Sequence, residues 1–449
     1  MSAADCGVQI LRQLHKVIKT KFPNLFEQMS ALTDKRKRRD YQVTELITGA
    51  ISMFLFKETS RNAFNNDRSE RFNSNYAKVF KQRLPHMDTV DAYLRLLSPI
   101  ELENLKAVLI SGLIEQKVLH RFRMLGKYFM IAIDGTGVTS YAENDIEQTR
   151  SHKTSKNGTV TYYHYVVEAK LVTCSGLAIS LATEWVANEP HRSFNKQDCE
   201  QRAFERLAWK LKKYFPRLPI CLLADGLYPN KTFIKTCKAN DWEYVVVLKD
   251  QSLTTLQDDI KDVESKSKHS IITSDKRNKG NTNIDQNYEW ITERLWYGTH
   301  EVHWLSCSET ITIKDKAGTY STPDTTRFVY LTSMKVNKEN VRDIAGAGRY
   351  RWKIENEGFN TQKHGGYNLE HKYSRSTFAC FKNYYQCLQI AHMINQLAEH
   401  SQNIVDMLDN NNKLTIKHIW KDLISILKIG IIEEKDLVPN DRTQVRLAG

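Results

Sequence analysis

The residues of this chain best suited to chemistry are three acids, Asp134, Asp225 and Glu355. The first two repeat one device. Phe129 to Ile133 and Ile220 to Ala224 are apolar runs too short for helices and read as buried strands. Each ends on an aspartate followed by glycine, and Gly135 with Gly137 is expected to turn the backbone sharply and leave Asp134 accessible. A strand-end aspartate commonly does no more than cap a turn. Yet a carboxylate at the rim of a buried sheet is costly unless it is solvated, paired or bound to a cation. Glu355 lies in a helical pattern, Arg349 to Gly358, with Arg351 four residues earlier. At about 100° per residue these two share a face, whereas Glu357 points roughly 200° away from Glu355. The simpler account of Arg351 and Glu355 is a solvated i,i+4 ion pair.

Strand ends of one sheet can converge however far apart they lie in sequence, and a helix across that edge can add a third carboxylate. Such an all-oxygen site suits Mg²⁺, with Mn²⁺ as a substitute. Two such ions about 4 Å apart would activate a water or a 3′-hydroxyl and stabilise the leaving oxygen of a phosphodiester. Arg351 could hold a phosphate there bidentately.

The elements that must position these acids can be read in order. Residues 1 to about 125 are helical in pattern, with Leu46, Ile47, Ala50, Ile51, Phe54 and Leu55 at helical spacing. Asp88 to Asp91 resembles an N-cap with an acidic first turn, and Ser98-Pro99 starts a further helix. The basic run Lys35 to Arg39 is either a solvated helix entry or a DNA contact. From Tyr128 strands begin. A polar loop is expected over Ser140 to Gly158, carrying Arg150, His152, Lys153 and Lys156, either solvated or near a scissile phosphate. Val160 to Val172 and Leu177 to Trp185 should form an antiparallel hairpin. A helix over Gln197 to Tyr214, the strand before Asp225, a helix over Pro229 to Ala239 and a strand over Glu243 to Lys249 complete a mixed α/β sheet with βαβ units.

Lys266 to Asn287 reads as a mobile polar loop, and Tyr288 to Ser306 as part of a β-rich insertion. Trp290, Trp296 and Trp304 are spaced by even numbers, which puts them on one face of a continuous strand unless Gly298 turns the chain. That face is either core or a platform for bases. Arg327 to Leu331 is a returning strand, and helices are expected through Gly358, over Phe378 to Leu397 and over Ile416 to Leu427. The boundaries that follow are 1–125 helical, 126–250 sheet, 251–326 insertion, 327–375 sheet with the Glu355 helix, and 376–449 helical.

The chain has 449 residues and a formal net charge of +13, which favours an anionic partner, nucleic acid before membrane. Its eight cysteines form no CxxC pair or zinc-ligand spacing and are expected to be reduced core thiols of a cytoplasmic protein. No apolar run approaches the length that spans a bilayer, and Met1 to Phe26 lacks the apolar region of a secretion signal.

IAIDGT (131–136), LLADGLY (222–228) and RYRWKIENEGFNTQK (349–363) together resemble the DDE transposases of bacterial insertion sequences, over about residues 125 to 375. The resembled branch carries a Y-(2)-R-(3)-E-(6)-K signature. The resemblance implies an RNase H-like α/β fold, its mixed sheet flanked by helices, with a β-rich insertion before the last catalytic helix and an all-helical N-terminal region. It also implies a two-metal Mg²⁺ site at Asp134, Asp225 and Glu355, and cleavage and strand transfer of double-stranded DNA at terminal inverted repeats by a homodimer. Arg351 and Glu355 match the signature in register, while Gly348 stands at its Tyr position and Gln362 at its Lys position. Tyr350 and Lys363 are the nearest replacements. With Arg351, Lys153 and one insertion tryptophan, taken as Trp296, they make up the expected DNA contacts. The N-terminal region is expected to bind the inverted repeats. The competing readings are an RNase H-like nuclease without strand transfer and a transposase-derived DNA-binding protein.

Overall fold

The structure, a computed structural model, describes residues 3–145, 148–188, 198–277, 281–315, 318–411, 413–438 and 445–448. The chain begins with the helices α1 (Ala3–Lys21), α2 (Leu25–Ser30), α3 (Val43–Leu55), α4 (Arg61–Asn66), α5 (Glu70–Phe80), α6 (Met87–Leu96) and α7 (Pro99–Glu115). There follow β1 (Phe129–Tyr141), β2 (Ser151–Thr154), β3 (Val160–Val172), β4 (Ala178–Val186), α8 (Glu200–Tyr214), β5 (Ile220–Ala224), α9 (Lys231–Ala239), β6 (Glu243–Val247) and α10 (Thr254–Ser267). Next come β7 (Lys268–Arg277), β8 (Thr282–Ile291), β9 (Leu295–Tyr297), β10 (His300–Ile313), β11 (Asp324–Thr332) and α11 (Val341–Tyr350). A π-helical segment (Ile354–Asn360) leads into α12 (Thr361–His364), and α13 (Phe378–Glu399), α14 (Gln402–Asp409), α15 (Ile416–Ile429) and α16 (Glu434–Leu437) end the chain. This is an α/β protein with an all-helical N-terminal region and a mixed sheet flanked by helices.

Two compact units divide the chain. The first takes Met1–Arg121, Gly135–Phe215 and Lys353–Gly449; the second takes Phe122–Asp134 and Pro216–Trp352.

The core of the first unit is α13, whose residues from Cys380 to Ala398 are nearly all buried. A helix buried all round must pair whatever polar groups it carries. Asn383 Nδ2 donates to the carbonyls of Leu94 and Leu97 at 2.8 and 2.9 Å, at the end of α6. Asn395 Nδ2 donates to Leu55 O at 3.1 Å, at the end of α3. These amides satisfy carbonyls that a helix C-terminus leaves without partners. Asn75 on α5 does the same for α15, donating to Leu427 O and Gly430 O, both at 3.0 Å. The cap of α6 is His86, whose side chain accepts from the Asp88 amide, so Asp88 belongs to the first turn and is not the cap. Ser98 and Pro99 do open α7.

Strand β1 does not stop at Asp134. It continues through Gly135 and Gly137 to Tyr141, with no positive φ at either glycine. Gly135 answers a crowding demand instead: a Cβ there would lie 2.5 Å from the ring of Tyr165. The polar stretch after it is likewise more ordered than a loop, because Ser151–Thr154 pair with Val160–Tyr163 as β2 on β3. β3 and β4 form the expected hairpin, with a bulge between Ala169 and Lys170.

In the second unit the strand order is β1-β5-β6-β11-β10-β8-β7, with β9 on β10. β1, β5 and β6 are parallel and the rest antiparallel. The expected mobile loop over Lys266 to Asn287 is corrected: it holds the end of α10, all of β7 and half of β8. Those strands escape an apolar pattern because polar side chains hold them, with Ser274 donating to Asp285 and Lys268 bridging to Glu289. The tryptophans fall on three strands. Trp290 on β8 and Trp304 on β10 are buried, while Trp296 on β9 is 51% exposed. Gly298, at φ +64°, turns the chain between β9 and β10.

Among the described residues no helix is long and apolar enough to cross a membrane. All eight cysteines are free thiols, and Cys6, Cys221, Cys237, Cys307, Cys380 and Cys387 are buried.

The Asn75 contacts yield a stability prediction. Asn75→Ala leaves carbonyls of α15 buried without a donor and lowers the unfolding free energy by about 3 kcal/mol. Asn75→Asp costs at least as much, because a carboxylate offers those carbonyls nothing. Urea unfolding followed by circular dichroism measures both.

Candidate active site

The backbone ladder aligns the two aspartates. β1 and β5 pair in parallel, Phe129 with Ile220 through Ala132 with Leu223, and Asp134 and Asp225 each lie two residues past the last paired positions. β5 is buried along its length, and β1 is buried from Phe129 to Ile133 and half-buried at Asp134. The carboxyl ends of parallel strands in open α/β sheets are the common seat of ligands. Each aspartate has a cation beside it.

Arg351 Nη1 lies 3.5 Å from Asp134 Oδ2. Its side chain is only 9% exposed, and the guanidinium stands 4.8 Å from the ring centre of the exposed Trp352. Asp225 is fixed by its own turn, Oδ1 accepting from the Leu227 amide at 2.9 Å. Its Oδ2 lies 3.8 Å from Lys249 Nζ. Lys249 reaches it by crossing Gly226, where a Cβ would meet the lysine chain at 2.5 Å. The Asp-Gly pair at this strand end thus serves close approach. Asp134, Asp225, Arg351 and Lys249 all belong to the second unit.

Glu355 belongs to the first unit. The helix that carries it is not the regular one expected. Arg351 is a turn residue after α11, and Glu355 is the second residue of the π segment. The rule of 100° per residue therefore does not hold between them, since π turns are wider. Glu355 is half-buried, and its carboxylate makes no hydrogen bond or ion pair among the described residues. Glu357 is committed elsewhere, to Lys353 at 2.7 Å. Among the described residues no group of three or more His, Cys, Asp or Glu side chains stands ready to hold a metal ion. The hard-oxygen donors of the second unit's site are Asp134 and Asp225.

The expected DNA contacts are scattered. Tyr350 is half-buried at the end of α11. Lys363 on α12 pairs with Glu370 at 3.2 Å. Lys153 is exposed on β2, and Trp296 on β9. Arg150 is occupied, donating to Glu143 O and stacked 3.5 Å over Tyr141. In the basic run, Arg36 is consumed by Asp34 at 2.9 Å and by Tyr41 O at 2.7 Å, which leaves Lys35, Lys37 and Arg38 exposed. Sequence reasoning missed Lys249 and Trp352. Lys249 ends the third apolar strand run, as Asp134 and Asp225 end the other two, and that shared position was the available signal.

The two cations differ in burial, so the two aspartates should differ in their effect on stability. Asp134→Asn strands the buried Arg351 charge and destabilises by about 1–3 kcal/mol. Asp225→Asn frees only Lys249, 60% exposed, so its melting temperature stays level. Differential scanning calorimetry of the two variants checks the contrast.

No family model matches the chain, and no curated protein matches it either.

Proposed function

We propose that the chain is a DDE transposase with an RNase H-like catalytic region, cleaving DNA at terminal inverted repeats and joining it to target DNA. The observation that carries this reading is the pair Asp134 and Asp225, each two residues past the last pairing of the adjacent parallel strands β1 and β5, with Arg351 on Asp134 and Glu355 four residues further on. A binding module has no need of two such carboxylates.

Asp134, Asp225 and Glu355 would hold Mg²⁺, or Mn²⁺ in its place. The donor chemistry fits, because Mg²⁺ is commonly held by one or two carboxylates and completes its shell with water and substrate phosphate. When bound, the ions supply an activated water or 3′-hydroxyl and stabilisation of the leaving oxygen. The chain's own residues do the rest. Arg351 and Lys249 neutralise the aspartates and turn to phosphate oxygens when DNA arrives. Trp296 offers an exposed ring for an unstacked base, and Lys153 a charge for the backbone. Tyr350 and Lys363 are kept as weaker candidates. Lys35, Lys37 and Arg38 leave the N-terminal helices a basic surface for the inverted repeats. A second copy of the chain completes the complex that holds two ends.

Two departures from the resembled signature have local causes. A Cβ at Gly348 would lie 2.5 Å from the ring of Tyr330, which fills that space. Gln362, at the Lys position, is fully buried and bonded to Gln389 and His392.

The test is a strand-transfer assay with precut ends taken from the DNA flanking the gene. Wild-type protein gives joined products that require Mg²⁺, and Asp225→Asn or Glu355→Gln lowers the rate at least about a thousandfold. Hydrolysed ends without joined products would favour a nuclease, and unchanged joining by Asp225→Asn would remove the assignment.

A further inference from the structure

The first unit buries a line of charged and amide side chains that the proposed reaction does not use. Glu168 and Lys170 on β3 are both fully buried, 3.7 Å apart. Glu168 Oε1 accepts from Thr183 at 2.6 Å and from Tyr385 at 3.0 Å. Lys106 on α7, also buried, donates to Ser180 and Thr183. From the other side, Lys170 Nζ donates to Gln389 Oε1 at 2.8 Å. That oxygen also accepts from Gln362 Nε2 at 2.9 Å, and Gln389 Nε2 returns a bond to Gln362 Oε1 at 3.2 Å. Gln362 reaches His392 Nδ1 at 2.9 Å as well.

This line ends on the π segment. Gln362 follows its last residue by two positions. The Lys170 chain lies against Gly358, where a Cβ would meet its Cδ at 3.1 Å, and its ammonium stands 5.5 Å from the Phe359 ring centre. A π turn is a rare conformation that persists where surrounding contacts impose it, often at functional sites. Apolar side chains could fill the same volume at lower cost, since a buried ion pair seldom adds net stability. Here burial pushes the Lys170 ammonium down to about 8, against the pull of Glu168 and helped by Lys106. The charge is kept despite that cost, at the one place where it touches the segment bearing Glu355.

We propose that Lys170, through the Gln389–Gln362 amide pair and its packing on Gly358, is the positioning residue that fixes the π segment and hence the placement of Glu355. The link to Glu355 rests on the functional reading above; the link to the π segment does not.

Two variants of the full chain test it. Lys170→Met removes the ammonium, and Gln389→Met breaks the line while leaving the Lys170–Glu168 pair intact, which covers the case in which the first variant fails to fold. Amide hydrogen exchange over 354–364 accelerates at least about tenfold in both, with β5 and α15 unchanged. Affinity for end DNA stays within about twofold while single-turnover joining falls at least about tenfold. Unchanged exchange over 354–364 overturns the proposal, and so does faster exchange with unimpaired joining. A wild-type protein that joins no DNA sinks the functional reading alone, and exchange still decides whether Lys170 fixes the segment.

Discussion

The parallel pairing of β1 on β5 is the constraint on which the candidate site depends. Backbone hydrogen bonds between buried apolar strands set the register, and Asp134 and Asp225 follow its last pair by two residues each. The side chains do not choose that arrangement; they are left to accommodate it. Arg351 and Lys249 do so unequally. One cation is nearly buried and stacked beside Trp352, and the other is largely in water. Asp134 is therefore tied to a nearly buried cation, while Asp225 is held by its own Leu227 turn and a largely solvated lysine.

The first unit solves a different problem, the ends of many helices brought against one buried helix. α13 carries asparagines and glutamines where leucines would be expected, because the carbonyls of α3 and α6 end against it. The same habit of burying polar groups continues from Gln389 into Lys170 and Glu168. A core of this kind specifies its geometry through donors and acceptors as much as through volume. A π turn placed against it can be held in a conformation that helix propensity alone would not choose.

Much of this was legible in the residues. Phe129 to Ile133 and Ile220 to Ala224 are apolar because parallel strands are covered on both faces, so both runs and the aspartate after each could be read, although β1 runs on past Asp134 to Tyr141. The hairpin of β3 and β4 and the long helices followed from their periodicity. What could not be read depends on partners distant in sequence. β7 and β8 look like loop because polar cross-strand pairs hold them. Gly135, Gly226 and Gly358 look like turn signals, yet each yields space to a side chain from elsewhere, Tyr165, Lys249 and Lys170. The π turn is invisible in a local pattern, since an α-helical period fits the same residues. Arg36 reads as one more charge in a basic run, and only the fold shows it spent on Asp34.

If Asp134, Asp225 and Glu355 serve one metal centre, as proposed, Mn²⁺ binding followed by electron paramagnetic resonance in the presence of precut end DNA shows about two tightly held ions per chain. That binding is lost in Asp134→Asn, Asp225→Asn and Glu355→Gln alike. Tight Mn²⁺ binding by Glu355→Gln equal to that of the wild type would contradict it.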